Sequence, residues 1–172
     1  MSLQKYSLWL MPAGATAQKF SELITQLAQR YSSPQFPPHV TLIGSIEAQE
    51  DEIVPKAKEL ASLLHPYHLQ LANVDYTDLY YRTLVVRIEA SEEVMSAYQR
   101  AKSLFPNVTK PEYMPHLSLL YGDFSVETKK EIISMIGESF TDTFEATTLY
   151  LYRTQGPVSD WQRIGAFPLR GQ

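Results

Sequence analysis

Apolar and polar positions recur along this chain with two alternating periods, and together they predict a mixed succession of strands and helices. Residues 6–11 form a short apolar run closed by Pro12 and Gly14, which reads as a first strand. From Thr16 onward, Phe20, Leu23, Ile24, Leu27 and Tyr31 recur at helical spacing and predict an amphipathic helix. Pro34, Pro37 and Pro38 end that helix and lead into a strand over residues 39–46. Glu50, Asp51 and Glu52 then supply the acidic first turn that suits the helix dipole, ahead of Ile53, Ala57, Leu60 and Leu64. Pro55 is tolerable only near that start.

The second half repeats the theme. Residues 67–76 and 80–90 read as paired strands turning at Thr77-Asp78, and Ser91 is a good N-cap for a helix carrying Val94, Tyr98, Ala101 and Phe105. The loop 106–115 delivers another strand. Ser125 caps a fourth helix carrying Ile132, Ile133 and Ile136, with Gly137 near its end. Residues 144–153 and 161–169 are closing strands around a Gly156-Pro157 turn. Helices segregated to one face of the sheets make the expected class α+β.

Two of the predicted strands carry the same chemistry. Pro38-His39-Val40-Thr41-Leu42 and Pro115-His116-Leu117-Ser118-Leu119 each place a histidine and a hydroxyl two positions apart. In a strand, residues i and i+2 share a face, so His39 with Thr41, and His116 with Ser118, project together while the apolar residues turn to the core. The two histidines are 77 positions apart, and the same offset lays residues 7–11 on 84–88, 16–31 on 93–108 and 67–74 on 144–151. The expected organisation is therefore one two-lobed, quasi-symmetric domain over residues 1–172, each lobe giving one motif to a shared cleft. A solitary histidine in a strand is ordinarily structural. A purely structural repeat would more simply keep apolar residues on both faces than keep the His-x-Thr/Ser pattern twice.

Two imidazoles and two hydroxyls are what a metal-free phosphoester enzyme needs: a base, an acid, and donors for phosphoryl oxygens. Composition narrows the substrate. The net charge of −4 argues against tight binding to long nucleic acid, which relies on many Lys and Arg contacts, but not against a small phosphorylated molecule in a local pocket. With no cysteine there is no disulfide, thiol nucleophile or Cys-based zinc site. His65 and His68 flank Pro66 without the glutamate of the zinc-peptidase pattern, and read as surface or helix-end histidines. Nothing approaches the roughly 18 consecutive apolar residues of a membrane span, so a cytoplasmic monomer with no cofactor and no metal is expected. Tyr121, five positions after His116, can donate to a phosphate oxygen or flank the substrate. Trp9 is left out of the site, because the two halves give opposite answers for which face of the first strand it occupies. Arg82, Lys110 and Arg153 are plausible pyrophosphate contacts that pattern alone does not separate from solvated surface charges.

The paired HVTL and HLSL segments resemble the hallmark of the two-histidine phosphoesterase superfamily. Within it, Tyr6-Ser7-Leu8-Trp9, Pro38-His39-Val40-Thr41 and the stretch from Tyr113 to Tyr121 (YMPHLSLLY) are most similar to cyclic phosphodiesterases of plants and fungi that act on ADP-ribose 1'',2''-cyclic phosphate. The resemblance implies a bilobal fold with antiparallel sheets lining a central cleft, and hydrolysis of a cyclic phosphate. It implies His39 and His116 as the acid–base pair, Thr41 and Ser118 as phosphate contacts, and Tyr121 and Tyr81 as residues flanking the substrate. Relatives that carry cysteines differ from this chain, which puts redox control of the lid in doubt but not the chemistry. Two other readings stand beside it: a 2',5'-phosphodiesterase or RNA-end-processing branch of the superfamily, and a nucleotide-binding module without turnover. Loss of turnover need not preserve both histidines and both hydroxyls, which favours an enzyme.

Overall fold

The computed structural model describes residues 2–109 and 112–171. In chain order its elements are β1 (Gln4–Leu10), α1 (Gly14–Tyr31), β2 (Val40–Ala48), α2 (Glu50–Leu63), β3 (Tyr67–Tyr76), β4 (Leu84–Ile88), α3 (Glu92–Leu104), β5 (His116–Leu120), α4 (Val126–Ile136), β6 (Thr143–Ala146), β7 (Thr148–Arg153) and β8 (Gln162–Pro168). The helices start where the sequence has caps. Ser91 and Ser125 each accept a backbone N–H from three residues on, and Gln49 with Glu52 closes a capping box on α2.

Each half supplies strand–helix–strand–helix–strand, and the halves interlock. The sheet order is β6-β3-β4-β5-β2-β1-β7-β8, with every neighbouring pair antiparallel. Outward from the centre, one lobe is β2-β1-β7 and the other β5-β4-β3, so the third strand of each half lies in the opposite lobe. The helices cross in the same way: α1 packs on β5 and α3 on β2. Between the lobes the strand register runs through one residue pair, Val40 with Leu117, and the eight strands form one curled sheet. This is the expected α+β class, with the lobes built by exchange rather than from consecutive segments.

Three segments depart from the sequence expectation. Residues 80–82 form a single-turn 3-10 helix instead of opening a strand, because the Thr83 hydroxyl is drawn into the carbonyls of Leu79, Tyr80 and Gly122. A break at Thr147 divides the predicted 144–153 strand between β6, which pairs with β3, and β7, which pairs with β1. Residues 158–160 make a second short turn, so β8 begins at Gln162.

Register explains why the face of Trp9 is ambiguous from the sequence. Thr41 pairs with Trp9 in one lobe and Ser118 pairs with Val85 in the other. The motif strands are thus related by 77 positions but the strands beside them by 76. An error of one residue turns every side chain to the other face. Leu8, Leu10, Val40, Leu42, Leu117 and Leu119 belong to the core beneath the helices, while Trp9 and Ser118 occupy the opposite, cleft face with Thr41.

Candidate active site

His39 and His116 sit where chain and sheet meet, one immediately before β2 and the other opening β5. Each follows a proline, and each ring is fixed by its own backbone. His39 Nδ1 lies 2.8 Å from the Pro37 carbonyl oxygen, and His116 Nδ1 lies 2.8 Å from that of Met114. A carbonyl oxygen only accepts, so each Nδ1 carries the proton and, in the neutral ring, Nε2 is the basic nitrogen. The same device at both positions follows from the shared Pro-His-x-hydroxyl segment.

The surroundings of His39 set its charge. Its ring stacks on Trp9 at 3.6 Å between centroids and 14° between planes, and Phe36 meets it edge-on at 6.1 Å. Burial, assisted by the charge of His116 and opposed by the Pro37 hydrogen bond, lowers its pKa from 6.5 to about 4. His39 is therefore neutral at pH 7. Trp9 is enclosed on both sides, since its other face stacks on Tyr152 at 3.9 Å. It has no free face for a nucleobase; its role here is to hold and dry the His39 imidazole.

All six residues singled out as site candidates line one open cavity of about 740 Å³: His39, Thr41, Tyr81, His116, Ser118 and Tyr121. Ser118 Oγ donates to the Tyr81 carbonyl at 2.9 Å, tying the 3-10 turn over the cleft floor to the second motif. Tyr121 is buried, stacks on Phe36 at 3.8 Å, and burial pushes its hydroxyl pKa up, so it stays a protonated donor. Tyr81 is half exposed and meets Tyr121 edge-on at 5.1 Å. Across the mouth stands Trp161, 5.8 Å from Tyr81 and 6.1 Å from Tyr121.

Trp9 and Trp161 are the two tryptophans of the cleft, and sequence reasoning placed neither there. A 76-residue offset for the flanking strands would have placed Trp9. Trp161 follows a short turn between β7 and β8 and carries no periodic signal. Of the three basic candidates, Arg82 lines the cleft, Arg153 is engaged elsewhere with Glu50 and Gln162, and Lys110 lies outside the described residues. His68 is exposed and faces Glu145 at 3.5 Å on the β3–β6 pair. Among the described residues no three His, Cys, Asp or Glu side chains gather as a metal site, and no helix is long and apolar enough to cross a membrane.

Tyr113 spans the seam between the motifs. Its hydroxyl donates to the Thr41 carbonyl at 2.9 Å while its ring stacks on Tyr98 at 4.2 Å. With only one strand pair joining the lobes, this bond is a principal cross-link. Tyr113→Phe should lower unfolding stability by about 1–3 kcal/mol, because it leaves a part-buried carbonyl without its donor. Urea denaturation reads this directly; an unchanged midpoint and slope would show that the seam does not depend on the hydroxyl.

A curled antiparallel sheet whose two central strands each bring a histidine and a hydroxyl to one cleft is the architecture of the two-histidine phosphoesterases, and this chain is one of them. A family model described as cyclic phosphodiesterase-like protein matches residues 4–169, so the chain belongs to that family and is a phosphodiesterase. It is similar to a protein of Arabidopsis thaliana named cyclic phosphodiesterase, with 30% identity over 73% of this chain and 69% of that one. It is also similar to a 2',3'-cyclic-nucleotide 3'-phosphodiesterase of Yarrowia lipolytica, with 24% identity over 92% of this chain and 97% of that one. Among solved structures, the protein TT0787 of Thermus thermophilus shares the fold with a TM-score of 0.73 at 14% identity, covering 98% of this chain and 99% of that one.

Proposed function

We propose that the protein hydrolyses small cyclic phosphodiesters on ribose, nucleoside 2',3'-cyclic phosphates and ADP-ribose 1'',2''-cyclic phosphate, by acid–base catalysis between His39 and His116. The observation that carries this reading is the matched pair of imidazoles, each with Nδ1 tied to a carbonyl, in one cavity with two hydroxyls. His39, neutral through burial, takes the proton of the attacking water as the oxygen–phosphorus bond forms. His116, as imidazolium, protonates the departing ribose oxygen as its bond to phosphorus breaks. Thr41 and Ser118 donate to the phosphoryl oxygens; Ser118 does so by rotating its proton away from the Tyr81 carbonyl.

Fixed rings on opposite strands can serve only one of the two ring oxygens in line with attack. From a nucleoside 2',3'-cyclic phosphate the reaction breaks the bond to O3' and leaves a 2'-phosphate, in keeping with the 3'-phosphodiesterase name of the Yarrowia lipolytica relative. From the ADP-ribose substrate it leaves a 1''-phosphate. Phosphorus NMR of the products of adenosine 2',3'-cyclic phosphate should show the 2'-phosphate alone. A mixture with the 3'-phosphate would overturn the fixed geometry, and faster cleavage of a 2',5'-linked oligonucleotide in competition would move the chain to the other branch.

A further inference from the structure

Both motif strands take extra residues just past their hydroxyls. Trp9 pairs with Thr41, Leu8 with Ile43 and Tyr6 with Ile46, so β2 advances five residues while β1 advances three. Val85 pairs with Ser118 and Leu84 with Leu120, so β5 advances two while β4 advances one. Such bulges interrupt the two-residue alternation of a strand. The residues three beyond each hydroxyl, Gly44 and Tyr121, therefore reach the cleft together with Thr41 and Ser118. They are counterparts at the offset of 77, yet one has no side chain and the other carries a phenol ring.

The difference follows the hydroxyl beside it, because Thr41 has a methyl group and Ser118 has none. A Cβ at Gly44 would lie 3.2 Å from Thr41 Cγ2 and 3.2 Å from Ser7 Oγ. Carbon atoms sit best at about 3.5–4.0 Å, so the threonine methyl would have to move. The backbone makes no such demand, since the φ of Gly44 lies outside the left-handed region that favours glycine. Side-chain space alone requires it. A threonine Cβ places its hydrogen, hydroxyl and methyl at three staggered positions. With the methyl turned toward Gly44, the hydroxyl holds another of the three and makes no hydrogen bond among the described residues. Ser118, in contrast, is already oriented by its bond to the Tyr81 carbonyl at 2.9 Å.

We infer that Gly44 is a positioning residue: by having no Cβ it accommodates the Thr41 methyl and so fixes the rotamer in which the Thr41 hydroxyl is free for a phosphoryl oxygen. Thr41 with Gly44 and Ser118 with Tyr121 are then matched pairs, in which the hydroxyl that bears a methyl stands beside the residue that lacks a side chain. A methyl group on residue 44 crowds the Thr41 methyl and drives the threonine toward another rotamer. An oxygen needs less room than a methyl, so the hydroxyl is the group that replaces it next to the new Cβ, turned to the floor and away from its free position. This rests on the proposed hydrolytic reading, in which Thr41 donates to the phosphoryl group, and it names the residue that makes that donation possible.

The test measures the cost of Gly44→Ala in two backgrounds, with adenosine 2',3'-cyclic phosphate as substrate. In the wild-type protein it should lower kcat/KM by about tenfold, the ratio that a loss of about 1.4 kcal/mol of transition-state binding gives. Thr41→Ser keeps the hydroxyl and removes the methyl. Added to Thr41→Ser, the same Gly44→Ala change should cost less than about twofold, whatever Thr41→Ser costs alone, because the two residues are coupled through the methyl. Three-bond NMR couplings to the Thr41 methyl carbon, measured without substrate, should report a changed rotamer in Gly44→Ala. Unfolding midpoints accompany each variant, and damage to the backbone of β2 would not be repaired by Thr41→Ser. An equal cost in both backgrounds, relief by Ser7→Ala in place of Thr41→Ser, or an unchanged Thr41 rotamer would overturn the positioning role. A changed rotamer with full turnover would leave that role standing and remove the Thr41 hydroxyl from the catalytic reading instead.

Discussion

His39→Ala and His116→Ala should each lower kcat by roughly 10²–10⁴-fold, the usual contribution of a positioned general acid or base. In the proposed mechanism one imidazole takes a proton while the other gives one in the same displacement, so losing either breaks the same step. The double variant should therefore be little slower than either single one, because groups that act as a unit are not additive. His116→Ala should leave the fold intact, since that ring is only partly buried. His39→Ala opens a gap beside Trp9, so His39→Gln keeps most of the volume and guards against reading a folding defect as a catalytic one. Single-turnover rates with circular dichroism on each variant settle the matter. A kcat near that of the wild type in either single variant would remove the two-histidine mechanism and require another route to turnover.

Much of this site is legible in the sequence, for a definite physical reason. A strand shows its two-residue period directly, so His39-Val40-Thr41 and His116-Leu117-Ser118 announced both the cleft face and the core face. The capping serines at 91 and 125 and the apolar spacing of α1 to α4 did the same for the helices. What escaped was decided over long range. Nothing local in Leu149 or Leu71 tells that their strands belong to the lobe of the other half. Residues 80–82 read as strand because aromatic residues favour strands, yet contacts of Thr83 with the Gly122 carbonyl 39 positions away fold them into a turn. That turn carries Tyr81 and Arg82 into the cleft. The hydrogen bond from Ser118 to the Tyr81 carbonyl likewise joins residues with no shared sequence signal. Trp9 was lost to a single-residue difference in offset, which is the smallest error that reverses a face.

Trp9 carries the second large expectation, through the charge state of His39. Burial lowers the pKa of His39 to about 4, and Trp9 supplies one wall of that burial by stacking on the ring at 3.6 Å. In the proposed mechanism His39 is the general base and works when neutral, so kcat/KM in the wild type should hold as pH falls and drop only through about 4. Thinning the wall lets water reach the imidazole and raises its pKa toward the ordinary value near 6.5, which moves the acidic limb upward. Trp9→Phe keeps an aromatic ring but less cover. If it raises the pKa to about 6, about nine-tenths of His39 is protonated at pH 5, and kcat/KM falls about tenfold there with little change at pH 8. Trp9→Ala is more severe: removing a fully buried indole costs about 3–5 kcal/mol of stability, so its pH profile is read only below its unfolding temperature. The decisive comparison is the ratio of Trp9→Phe to wild-type kcat/KM across pH 4 to 8. A ratio that declines as pH falls ties the tryptophan to the protonation of His39. A ratio constant across that range would mean that Trp9 packs the site without setting the charge of its base.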